Sequence, residues 1–154
     1  MTNDEVIETL NDLIETCKDG EYGFRACAEH VESASIATLL TRRAEDCIEA
    51  ARELQAQVVQ LGGKPDTGGS ATGAMHRGWV SVRGTLEGYD DLAMLEECER
   101  GEDLALARYR TAIKEDLPEP VRSMVERQYQ GVKRNHDQVR DLRDRLKNAE
   151  ETMV

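Results

Sequence analysis

Apolar residues return every three or four positions through most of this 154-residue chain, which is the period of an amphipathic helix. In the first such stretch Val6, Leu10, Leu13, Cys17, Gly20, Phe24, Cys27 and Val31 keep the alternation, with Thr2 and Glu5 spaced as a capping box at its start. The pattern predicts a helix over 3–31. Glu21 lies on the flank of that stripe beside Ile14 and Ala28, positioned to lean inward. Ser33 is a ready N-cap for a second helix over 34–61, whose stripe runs Ile36, Leu40, Ala44, Cys47, Ala51, Leu54, Val58 and Leu61. Gly62-Gly63-Lys64-Pro65 supplies its stop.

A third helix is predicted over 91–116. Its inner face, taken as Leu92, Leu95, Glu99, Glu102, Leu106, Tyr109 and Ile113, sets two carboxylates inside an apolar stripe. Buried carboxylates are costly unless paired, hydrogen-bonded or bound to a metal, so these two are the most informative residues in the chain. After Leu117-Pro118-Glu119-Pro120, a fourth helix over 120–148 carries Val121, Val125, Gln128, Val132, His136, Val139, Leu142 and Leu146 on one face. The tail beyond it is expected to fray. Between the second and third helices, residues 62–90 begin as a turn-rich loop. Met75, Trp79, Val82 and Leu86 then share one face of a short predicted helix, since a structureless link of this length is unusual in a compact domain.

Short links make antiparallel neighbours, and a long middle link lets the chain cross the bundle. The expected fold is therefore all-α: one four-helix domain over 1–154 with a helix-bearing crossover between helices 2 and 3, the connectivity of ferritin-like bundles. Composition agrees, with three prolines and few aromatics. A net charge of −11 argues against nucleic-acid binding, which needs a basic face. The opening MTNDEVIETL lacks the marks of a secretory signal or a membrane span, so a cytoplasmic location is expected. Cys17, Cys27, Cys47 and Cys98 are scattered through helical stripes and not paired as CxxC, which suits small buried residues in a reducing compartment.

Several runs carry a family resemblance. They are Leu10-Asn-Asp-Leu-Ile-Glu15 followed by Asp19-Gly20 and Gly23-Phe24, then Leu61-Gly62-Gly63, Gly69-Ser70, Gly73-Ala74, His76-Arg77 and Trp79. Glu99-Arg-Gly-Glu-Asp103, Gln128 and His136-Asp137 complete the set, in order along nearly the whole chain. Together they resemble the bacterial ferritin-like four-helix-bundle proteins grouped as a domain of unknown function. The resemblance implies the fold and leaves activity unassigned.

The wider superfamily includes di-iron carboxylate proteins, whose site takes a Glu from each of two helices and a Glu-x-x-His from each of the others. Here Glu45 is followed at that spacing by Ile48, and His136 is preceded by Lys133. The full signature is missing, and no oxygen-activating centre carries over. A reduced site for iron, zinc or manganese remains open, with Glu99, Glu102, His136 and Glu21 as candidate ligands. The bland alternative is a polar layer in which His136 bonds Glu99 or Glu102, with Gln128, Arg100 or Tyr109 satisfying the remainder. No phosphate-binding loop or nucleophile motif is visible. The sequence thus points to a structural or stress-associated, non-enzymatic bundle, and as its rival to a metal-binding protein with oxidoreductase or storage activity. Trp79 in the crossover suggests a homo-oligomer, a dimer in the first instance.

Overall fold

The computed structural model describes residues 1–66 and 90–152. Four helices account for most of them: α1 (Asn3–His30), α2 (Ala34–Gln60), α3 (Asp91–Ile113) and α4 (Val121–Thr152). The N-termini of α1, α2 and α3 are set by local chemistry. Thr2 and Glu5 exchange bonds of 3.2 and 3.0 Å as a capping box. The Ser33 hydroxyl accepts from Ile36 N–H at 3.3 Å, and Asp90 accepts from Ala93 N–H at 2.8 Å. Gly62, at φ +82°, turns the chain out of α2 so that Gly63 N–H reaches the Val58 carbonyl at 2.9 Å. At Gly63 a Cβ would stand 2.7 Å from Ile7 Cδ1, so a side chain there would push the loop off α1.

Two ends differ from the sequence expectation. α3 stops at Ile113 rather than 116, where the chain begins a turn that buries Leu117. α4 runs on to Thr152, past 148 and into the segment expected to fray, as Leu142 and Leu146 still pack on the core. The short helix expected around Met75–Leu86, with His76 and Trp79, lies outside the described residues.

Contacts between helices reveal the topology. Thr9 meets Glu115 and Cys17 meets Tyr109, so α1 and α3 run antiparallel. Tyr109 meets Gln128 and Glu99 meets Arg143, so α3 and α4 do likewise. Asn11 reaches the Lys64 carbonyl, which sets the end of α2 beside the start of α1. Asp91, at the start of α3, instead accepts from the backbone N–H groups of Glu32 and Ser33 at the far end of α1. The end of α2 and the start of α3 therefore lie at opposite ends of the bundle, about 40 Å apart for helices of this size. That connectivity is the ferritin-like one, and the all-α reading stands.

The core divides in two. One apolar cluster holds Val6, Leu10, Leu13, Ile14, Leu54, Val58, Tyr109 and Val125 among others, and the second holds Phe24, Cys27, Leu40, Ala44, Met94, Leu95, Cys98 and Val139. Between them the helices carry Asp19, Gly20, Cys47, Glu102, Asn135 and His136. Along α4 no residue from Tyr129 to Gln138 is fully buried. This middle layer is where the candidate site has to be sought.

Candidate functional site

The apolar face of α3 is centred on Met94, Cys98 and Gly101, rotated from the face drawn through Leu92 and Glu99. The helix packs against both α1 and α4, so the buried arc is wide and its centre depends on both neighbours. The rotation separates the two carboxylates. Glu102 is carried inward and is only 4% exposed, whereas Glu99 stays on the flank toward α4.

Each candidate ligand then meets a different fate. Glu99 Oε1 accepts from Arg143 Nη1 at 2.5 Å, while its Oε2 is buried without a hydrogen-bond partner. Glu102 Oε1 is likewise buried and unpartnered. Burial pushes the Glu102 carboxyl up to about 8; Arg43 opposes the shift, and the charges of Asp103, Glu99 and Asp137 add to it. His136 contacts Asp103 Oδ1 through Nε2 at 2.7 Å and Asp137 Oδ1 through Nδ1 at 3.3 Å. Glu21 pairs with Arg25 at 3.2 Å, one turn along α1. The expectation that His136 would bond Glu99 or Glu102 is therefore corrected: its partner is Asp103. Arg100 pairs with Glu97 on its own helix.

Counting outward from the turn at Leu117 would have found this pairing. Tyr109 lies opposite Gln128 and Glu99 opposite Arg143, so the intermediate register brings 103 to 136. Sequence reasoning also missed Arg43 and Arg108. Both guanidinium Nε atoms are buried without partners. No periodicity signals this, because a long side chain on a helix flank can fold back over the core.

A cavity of about 50 Å³ lies at this level, touched by all four helices. Asp19 and Gly20 of α1, Arg43 and Cys47 of α2, Glu102 and Arg108 of α3, and Asn135 of α4 contribute to its wall. Gly20 makes the room: a Cβ there would meet Cys47 Sγ at 3.0 Å. On the side toward the first cluster, the Tyr109 hydroxyl donates to Gln128 Oε1 at 2.7 Å and lies 3.4 Å from Cys17 Sγ. Gln128 Nε2 donates to the Ala50 carbonyl at 3.2 Å and lies 3.3 Å from Glu53 Oε1, so the amide is satisfied. All four cysteines are free thiols. Burial raises Cys17 to about 11, against its hydrogen bond with Tyr109, and lifts Cys47 and Cys98 well above the usual thiol range. Such thiols are poor nucleophiles.

As arranged, these groups do not make a metal ligand set. Among the described residues no three His, Cys, Asp or Glu side chains are gathered closely enough to hold an ion. Glu99 and Glu102 each keep one buried oxygen without a hydrogen-bond partner. Among the same residues, no helix is long and apolar enough to cross a membrane.

The fold has a well-matched solved counterpart. A structure described as a dodecameric thioferritin, the bacterioferritin-related protein from Bacteroides fragilis, superposes with a TM-score of 0.81 over 100% of this chain and 93% of its own, at 15% identity. At that identity the likeness concerns the fold. No curated protein matches the chain in sequence. Residues 5–115, which span the first three helices, the crossover and the mid-bundle layer up to α4, match the family described as Domain of unknown function (DUF2383), and the chain belongs to that family.

Proposed function

We propose that this protein is a non-enzymatic, cytoplasmic ferritin-like bundle with a structural or stress-associated role, whose polar layer holds the helices in register. The observation that carries this reading is the dispersal of the ligand candidates. Glu21, Glu99 and His136 are each committed to a different charged partner, Arg25, Arg143 and Asp103. Polar layers of this kind specify helix pairing and do not require a bound ion. Assembly into a homo-oligomer is part of the proposal. The dodecameric state named for the thioferritin supports it, and a dimer is the smallest closed form.

One observation favours the rival, a protein binding iron, zinc or manganese. Glu99 and Glu102 both keep an unpartnered buried oxygen, so rotation of Glu99 away from Arg143 would free two carboxylates and leave His136 nearby on the facing helix. Elemental analysis of the purified protein and titration with ferrous, zinc and manganous ions separate the readings. The structural reading expects no stoichiometric metal and unchanged melting in excess ion. Binding of one or more ions per chain, lost in both Glu99→Ala and His136→Ala, would establish the rival. Light scattering after size-exclusion chromatography tests assembly, and a single 17.3 kDa species would end that part of the proposal.

A further inference from the structure

Two of the four thiols meet across the bundle. Three contacts fix the register of α1 against α3: Thr9 on Glu115, Cys17 on Tyr109, and the Ser33 backbone N–H on Asp91. From Cys17 to Ser33 the chain advances sixteen residues, and from Tyr109 back to Asp91 it covers eighteen. Cys27, ten residues past Cys17, therefore falls level with Cys98, eleven residues before Tyr109. Both side chains are fully buried in the second apolar cluster, and their thiols are hydrogen-bonded to each other.

The other two cysteines are placed differently. Cys17 belongs to the first cluster, with its Sγ 3.4 Å from the Tyr109 hydroxyl. Cys47 is on α2 and packs over Gly20, where a Cβ would come within 3.0 Å of its Sγ.

Helix geometry allows the facing pair to be joined. Axes about 8–10 Å apart, with each Cα about 2.3 Å from its own axis, bring directly facing Cα atoms to about 5 Å. A disulfide spans about 4.4–6.8 Å between Cα atoms, so neither helix has to move far. The pair is also ordered chemically. Burial, and then the contact with Cys27, favour the protonated form of Cys98. Cys98 is thus the donor of the hydrogen bond and Cys27 the acceptor, which makes Cys27 the more electron-rich sulfur.

We propose that Cys27 and Cys98 form a redox-modification site, a buried dithiol that a hydroperoxide converts to a disulfide tying α1 to α3. With hydrogen peroxide, the Cys27 sulfur attacks the O–O bond and becomes a sulfenic acid, and its proton leaves with the departing hydroxyl as water. The Cys98 sulfur then attacks the Cys27 sulfur, and the Cys98 proton leaves with the sulfenic hydroxyl as a second water. Two electrons pass from two thiols to one peroxide, and one S–S bond replaces two S–H bonds. Burial makes the first step slow, because the thiolate is the nucleophile. Contact between the sulfurs favours the second. The bond closes a long loop containing all of α2, which restricts the unfolded chain and so stabilises the folded one. The inference does not depend on the structural role proposed above.

Non-reducing peptide mapping of the full chain, after treatment with hydrogen peroxide and alkylation of the remaining thiols in denaturant, tests it. Two of the four thiols should be lost, with the Cys27 and Cys98 peptides joined and released again by dithiothreitol. The oxidised chain should melt about 5–15 °C above the reduced one. Cys17→Ala/Cys47→Ala should form the same link at a rate within a few-fold of the parent. Cys27→Ala and Cys98→Ser should each abolish the link and the rise in melting temperature. The map of the parent chain decides the matter even where one of these variants fails to fold. Four free thiols after peroxide, a link made through Cys17 or Cys47, sulfinic acid at Cys27 or Cys98 without a link, or a Cys27–Cys98 link that leaves melting unchanged or lower would each overturn the site.

Discussion

Leu106 and Tyr109 follow Glu102 along the inner side of α3, and over that distance the buried polar atoms go from unsatisfied to satisfied. Tyr109 touches the same cavity but packs in the first apolar cluster, and its one polar atom is satisfied by Gln128 and Cys17. Glu102 is almost as deeply buried, yet it faces a cavity, two arginines and an oxygen with no partner. The apolar clusters at either end therefore carry the stability of the bundle. The middle layer subtracts from it, because an unsatisfied buried polar group costs about 1–3 kcal/mol. A fold that needed only to be stable would fill this layer with leucine.

Substitutions can sharpen that contrast. The largest effect should come from the clusters. Leu10→Ala removes a fully buried side chain and should cost about 3 kcal/mol in chemical denaturation, within the usual range for a core leucine. A loss under about 1 kcal/mol would show that the first cluster is loosely packed and the division misdrawn.

Next comes the pH response of Glu102. Its carboxyl lies above the ordinary 4.5 and near 8 in the folded chain, so the folded state holds the proton more tightly than the unfolded one. The stability linked to that proton is complete below about pH 4.5 and is lost as pH rises through about 8. Between pH 5 and 9 the parent should lose on the order of 3 kcal/mol that Glu102→Gln does not. Equal slopes for the two proteins would mean that Glu102 is solvated in solution.

Gly20 offers a smaller and more specific test. Alanine should favour the helix by about 1 kcal/mol, but its Cβ would sit 3.0 Å from Cys47 Sγ. Gly20→Ala alone is expected to be close to neutral. In a Cys47→Ala background the same change should stabilise, giving a coupling of about 1 kcal/mol in a double-mutant cycle. Strict additivity would remove Gly20 from the wall of the cavity. The smallest effect is expected at the margin of the layer. Arg143→Met breaks the pair with Glu99, but both side chains are partly solvated, and the melting curve should shift by less than about 1 kcal/mol. A larger loss would mean that the Glu99–Arg143 pair is structurally indispensable.

Much of this architecture is legible without coordinates. The stripe from Val6 to Cys27 names most of the buried face of α1, and Leu40, Ala44, Ala51, Leu54 and Val58 do the same for α2. Thr2, Ser33 and Gly62 mark their own helix ends. The site is much less legible. Glu102 was identifiable as a carboxylate on an apolar face, but Glu99 looked equivalent, and the partners assigned to both were incorrect. Arg43 and Arg108 gave no signal, since their role depends on side-chain direction over several ångströms.

The sequence by itself determined four helices, most of their ends and the crossover connectivity, because periodicity, caps and link lengths are local properties that each residue expresses within its own turn. Only the tertiary structure decided which side of α3 faces inward, that His136 meets Asp103, and that two arginines and Glu102 close on one cavity. Those outcomes follow from the rotation and register of one helix against two others. A rotation of α3 by a few tens of degrees exchanges Glu99 for Glu102 at the centre, and no residue within the helix records that choice.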